Sequence, residues 1–187
     1  APADIAGWGK TRWGMDLSAL RRVLGERVVP LGGRLTYGGA YATHGIGDVD
    51  LADIRMRTVF QMNAETGRLQ QVALEPVSRR TPEAALHRLH DALVEEWGAP
   101  TRACVTPRAG GGPLTVELYW RYPSTVVHLT FLDFYSRAMA FEDPNAVRDP
   151  LTPYYKTRRN NPRFLPRKTV LRYHAAGRAD LMSSNCP

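Results

Sequence analysis

From Ile54 to Met62 the chain alternates with a period of two: Ile54, Met56, Thr58, Phe60 and Met62 oppose Arg55, Arg57 and Gln61. Successive side chains of a strand point to opposite faces, so this pattern specifies a strand with one buried face. "NAETGRL" supplies a turn at Gly67, and "LQQVALEP" returns, which predicts a hairpin. The alternation recurs in "LTVELYW", with Leu114, Val116, Leu118 and Trp120 on one face. "RYPST" then turns, "VVHLTFLDF" returns, and "RAMAF" can add a further strand. A chain built on such segments must cover the apolar face of a sheet.

Two helical patterns supply cover. In "WGMDLSALRRVLG" (13–25), Asp16 can cap, Leu17, Leu20, Val23 and Leu24 share a face, and Gly25 ends the turn. In "TPEAALHRLHDALVEEWGAP" (81–100), Thr81 can cap and Pro82 suits the first helical position. Leu86, Leu89, Leu93 and Trp97 form its stripe before Gly98 and Pro100 stop it. Residues 26–48, rich in glycine, read as one or two short strands around Val28–Val29 and Leu35–Tyr37. The expected fold class is α+β, with helices packed on one face of antiparallel sheet. Its α+β body spans 1–149 and allows two tandem α-β-β modules, 13–76 and 81–143.

Residues 144–170 contain Pro144, Pro150, Pro153, Pro162 and Pro166. Each removes a backbone donor and pushes the preceding residue to extended geometry, so an extended strap is expected here. "TVLRYH" (169–174) can add one edge strand after it. Residues 1–149 hold 17 basic and 17 acidic side chains, whereas residues 150–187 hold eight basic groups against Asp180. The net charge of +7 therefore belongs wholly to a basic, Pro-rich C-terminal arm, 150–187. Its candidate partner-binding residues are Tyr154, Tyr155, Lys156, Arg158, Arg159, Arg163, Phe164, Arg167 and Lys168, where aromatic and guanidinium groups interleave.

Cys104 and Cys186 show neither CxxC nor metal-ligand spacing, and an even count fits a disulfide that pins the arm through Cys186. The opening "APADIAG" resembles the product end of signal-peptide cleavage. Together these point to a bacterial periplasmic or secreted location. No run of eighteen apolar residues occurs, so no transmembrane segment is expected.

The chemistry-bearing candidates are sparse. His87 and His90 make HxxH beside Glu83 and Asp91, but a zinc site needs further ligands from elsewhere, and no metal is expected. "HGIGDVDLAD" carries Asp48, Asp50 and Asp53, yet lacks both the Lys of a phosphate loop and the twelfth-position acid of a calcium loop. There is no GxSxG elbow, and His44, His128 and His174 have no identifiable nucleophile, so the reading leans away from an enzyme and implies no cofactor.

On the "G-M" helix at Gly14–Met15 and the F-x-M-N…G-R-L-x-x-V-x-L hairpin from Phe60 to Leu74, the chain resembles two groups of exported modules. These are the BamE/SmpA outer-membrane-assembly lipoproteins and the beta-lactamase inhibitor protein. The resemblance implies a non-catalytic, exported, protein-binding class. The expected role is an accessory or assembly subunit whose partner is a larger exported or membrane-associated protein in a periplasmic complex. One alternative is a stand-alone inhibitor of an exported hydrolase, using the sheet face on which Tyr119, Arg121 and His128 would project. The other is binding of nucleic acid or an anionic polymer by the arm, which an exported location disfavours.

Overall fold

The computed structural model describes residues 1–78, 83–106, 114–133, 167–183 and Cys186. Among them, helix α1 (Leu17–Leu24) precedes β1 (Val29–Tyr37), β2 (Ala40–Leu51), β3 (Ile54–Asn63) and β4 (Leu69–Pro76). Helix α2 (Glu83–Trp97) precedes β5 (Arg102–Thr106), β6 (Leu114–Arg121), β7 (Thr125–Asp133) and β8 (Arg167–Ala175). All eight strands pair antiparallel in one sheet of order β1-β2-β3-β4-β8-β7-β6-β5.

This corrects the α+β expectation of helices packed on a sheet in α-β-β modules. The fold is dominated by a single eight-stranded sheet, with two helices of 8 and 15 residues beside it among the described residues. Two readings caused the difference. The glycine-rich 26–48 region forms strands of 9 and 12 residues rather than short ones. Gly45 shows why glycine belongs inside β2: a Cβ there would collide with the Thr58 carbonyl oxygen of β3, at a point where the β2–β3 register shifts. Residues 169–174, expected at an edge, instead form the central strand β8, paired with β4 on one side and β7 on the other. Both neighbours otherwise offer unpaired edges, and filling that gap satisfies the backbone donors and acceptors of all three strands.

The locally encoded elements form as expected. The Asp16 side chain accepts from the Ala19 amide at 2.8 Å, and Gly25 leaves α1 at φ 69°. In the β3–β4 turn the Asn63 side-chain oxygen accepts from the amides of Glu65 and Thr66, both at 3.0 Å, and Gly67 adopts φ 63°. Gly98 closes α2 by donating to the Val94 carbonyl at 2.7 Å. The caps expected from Thr81 and Pro82, the "RAMAF" strand and the strap up to Pro166 lie outside the described residues.

One face of the sheet carries the core. Phe60, Met62 and Leu74 from the first half join Leu118, Trp120, Phe131 and Leu171 from the second. Helix α2 adds Leu89, Leu93 and Trp97, whose ring meets Trp120 at 5.6 Å and Tyr173 at 5.8 Å in edge-on geometry. The N-terminal segment crosses toward the second half: Trp13 Nε1 donates to Thr125 Oγ1 at 2.9 Å, and Ser124 donates to the Asp4 carboxylate. Cys104 and Cys186 are disulfide-bonded. No described helix is long and apolar enough to cross a membrane.

Candidate functional site

The alternation that sends Val116, Leu118 and Trp120 to the core sends Glu117 and Tyr119 to the opposite face. Register aligns Tyr119 with His128, His128 with Arg172, and Arg172 with Ala73, while Gln61, Gln71 and His174 line up one row away. Two adjacent rows thus form a polar band: Tyr119, His128 and Arg172 across β6, β7 and β8, and His174, Gln71 and Gln61 across β8, β4 and β3. Such a sheet face would ordinarily be wetted, yet Glu117, Tyr119, His128, Gln61, Gln71 and His174 are all buried.

Glu117 is the hub. Its Oε1 accepts from His128 Nε2 at 3.1 Å and from the Tyr119 hydroxyl at 3.5 Å, and its Oε2 accepts from Ser183 Oγ at 3.1 Å. The Ser183 amide donates to the Tyr119 hydroxyl at 3.2 Å, and the rings of Tyr119 and His128 stack 4.1 Å apart. Burial alone would push the Glu117 carboxyl up, but the hydrogen bonds from His128, Ser183 and Tyr119 outweigh it and hold the group below its ordinary value. It is therefore an acceptor-only carboxylate, which assigns the proton to His128 Nε2. Desolvation depresses both His128 and His174, so each is neutral near pH 7. Burial pushes the Tyr119 phenol up to about 12. His128 Nδ1 and His174 Nε2 are buried without a hydrogen-bond partner among the described residues.

Beside this network lies a cleft of about 640 Å³. Glu117, His128 and Arg172 line its floor, Tyr37 and Lys168 its rim, and the turn carrying Arg178 and Ser183 one wall. That turn is tied down: Arg178 donates to Gln70 Oε1 at 2.6 Å and pairs with Asp180 at 2.7 Å, and the Cys104–Cys186 bond anchors the chain just beyond. Burial draws the Arg172 guanidinium below its ordinary value, while the negative charges of Glu75 and Glu117 oppose the effect.

Of the expected arm residues, Tyr154, Tyr155, Lys156, Arg158, Arg159, Arg163 and Phe164 lie outside the described residues. Arg167 and Lys168 open β8, and Lys168 Nζ stands 3.8 Å from Glu75. Tyr119 and His128 do occupy the face expected of them, but they are buried rather than projecting; Arg121 is exposed. His90 meets Asp91 at 3.1 Å, and no group of three His, Cys, Asp or Glu side chains gathers as a metal site among the described residues. Asp48 and Asp50 lie in β2 and Asp53 in the following turn, where Asp48 pairs with Arg55 at 3.6 Å. The Glu117–Ser183 contact escaped the sequence reading because nothing local signals a bond across 66 residues. No family model matches the chain, and no curated protein or solved structure matches it.

Proposed function

We propose that this protein is a non-catalytic, exported protein-binding module that docks a larger partner through the cleft side of its sheet. The observation that carries this reading is the division of labour between the two sheet faces. One face is filled by the apolar core, while the other presents an open, mixed-charge cleft with Tyr37, half-exposed, at its rim. Aromatic and guanidinium groups around a desolvated pocket are the composition of an interface centre. In sequence, the basic segment 154–168 runs into β8, whose Lys168 and Arg172 line this cleft.

The Glu117–His128 pair supports a binding role over catalysis. Both carboxylate oxygens are occupied by groups of the protein itself, and His128 Nδ1 is buried, out of reach of a substrate proton. The pair fixes the C-terminal turn as the wall of the cleft. The Cys104–Cys186 bond supports an oxidising, periplasmic location, in keeping with an accessory or assembly subunit.

Size-exclusion analysis of untagged protein from its own cells tests the reading. The wild type is expected in a complex well above its 20.9 kDa monomer mass. Tyr37→Ala combined with Lys168→Glu should weaken retention by roughly tenfold or more, the scale of one or two hot-spot contacts. Arg22→Glu, on the exposed side of α1, should not. Wild-type protein that elutes alone as a monomer contradicts the proposal.

A further inference from the structure

Arg172 is half-buried on the cleft floor, at the centre of the sheet, and the two other cations among the described residues that line the cleft are matched. Lys168 faces Glu75, and Arg178 is forked onto Asp180. Arg172 makes one side-chain hydrogen bond, from NH1 to Thr130 Oγ1 at 3.1 Å, and stands beyond ion-pair distance of any carboxylate among the described residues. A guanidinium carries five donors in a planar fork. Its remaining donors border the cleft, and a strand centre is a rigid place to hold a binding group.

From this we infer that Arg172 is the receptor for a carboxylate, supplied by an Asp or Glu side chain that the partner protein inserts into the cleft. The inference rests on the docking reading above and names what is recognised. Three features select the ligand. The guanidinium fork matches the two oxygens of a carboxylate, giving parallel charge-assisted hydrogen bonds. Glu117 and Glu75 flank the site, so a singly charged carboxylate is tolerated where a doubly charged phosphate would be repelled. Gln61, Gln70 and Gln71 line the same cleft; Gln71 Nε2 donates to Gln61 Oε1 and Gln70 Oε1 accepts from Arg178, which leaves Gln71 Oε1 and the side-chain nitrogens of Gln61 and Gln70 for the peptide backbone around an inserted side chain.

The probe is N-acetyl-glutamate α-amide, with N-acetyl-glutamine α-amide as its uncharged match and succinate as a free dicarboxylate, titrated into ¹⁵N-labelled protein. The glutamate probe is expected to bind at millimolar strength, shifting amides near Gln71, Ala73 and Arg172 and the Arg172 side-chain Nε–H. The glutamine probe should bind at least tenfold more weakly. Arg172→Gln and Arg172→Lys should each lose at least tenfold, the second because a point charge lacks the fork; unchanged amide spectra elsewhere certify that both variants are folded. Equal shifts from both probes, or binding that survives Arg172→Gln, overturns the inference. Succinate binding more tightly than the glutamate probe also overturns it, since the site would then serve a free small molecule. If the probes behave as expected while the wild type elutes alone from its cells, the docking reading falls and carboxylate recognition remains. If the native complex persists undiminished with Arg172→Gln, the inference falls and docking remains.

Discussion

Replacing Cys104 and Cys186 together by serine should lower the stability of the protein by at least roughly 4 to 5 kcal/mol. The bond closes a loop of 82 residues, and in the chain-entropy account a loop of that size removes about this much disorder from the unfolded chain. For a chain of this length the loss corresponds to a fall in melting temperature of about 10 °C or more. The effect should exceed entropy alone, because Cys186 is fully buried against Tyr119 and Val126 and holds the turn that carries Ser183 onto Glu117. Thermal unfolding monitored by circular dichroism, with and without reductant, measures both contributions. A double variant within about 1 kcal/mol of the wild type would show that the tail is held by its polar contacts and not by sulfur.

Glu117→Ala should be comparably severe, at about 3 to 5 kcal/mol by urea unfolding, since it strands the donors of His128, Ser183 and Tyr119 in a buried place. Glu117→Gln keeps an acceptor and should cost much less. The same network makes stability depend on pH. His128 and His174 have folded-state values below the ordinary 6.5, so the unfolded chain takes up their protons first and stability falls as pH drops below about 6.5. Glu117, also depressed, contributes stability that is present above its unfolded value and lost as pH falls through its folded one. The signs agree, so acidification destabilises throughout. Between pH 6.5 and 5 the histidines dominate, and His128→Gln should flatten that part of the curve. A wild-type curve that is level from pH 7 to 5 would contradict the neutral, buried histidines.

What the sequence made legible divides by range. Asp16 and Gly25 bound α1, Asn63 and Gly67 turn β3 into β4, and Gly98 ends α2, each by contacts within a few residues. The alternation in β3 and β6 was equally readable, although Val59 and Gln61 on the second face of β3 are buried as well. The β1–β2 ribbon was not, because its glycines signal a loop by composition, although Gly45 is there for close strand approach. Nor was the central place of β8, whose partners Leu74 and Leu129 are about 97 and 42 residues earlier in the chain. For the site, the face bearing Tyr119 and His128 followed from alternation alone. Its burial did not, because the residues beside it come from the distant 178–183 turn and from Cys186. The polar side of a sheet looks the same in sequence whether water or protein lies over it.

Docking through the cleft side of the sheet predicts a one-sided footprint on the fold. Amide hydrogen exchange, compared between the native complex and the isolated protein, measures this directly. Protection gained at β3, β4 and the start of β8, with the exposed side of α1 unchanged, is the predicted result. Protection confined to α1 and α2, or none on either side, would contradict it.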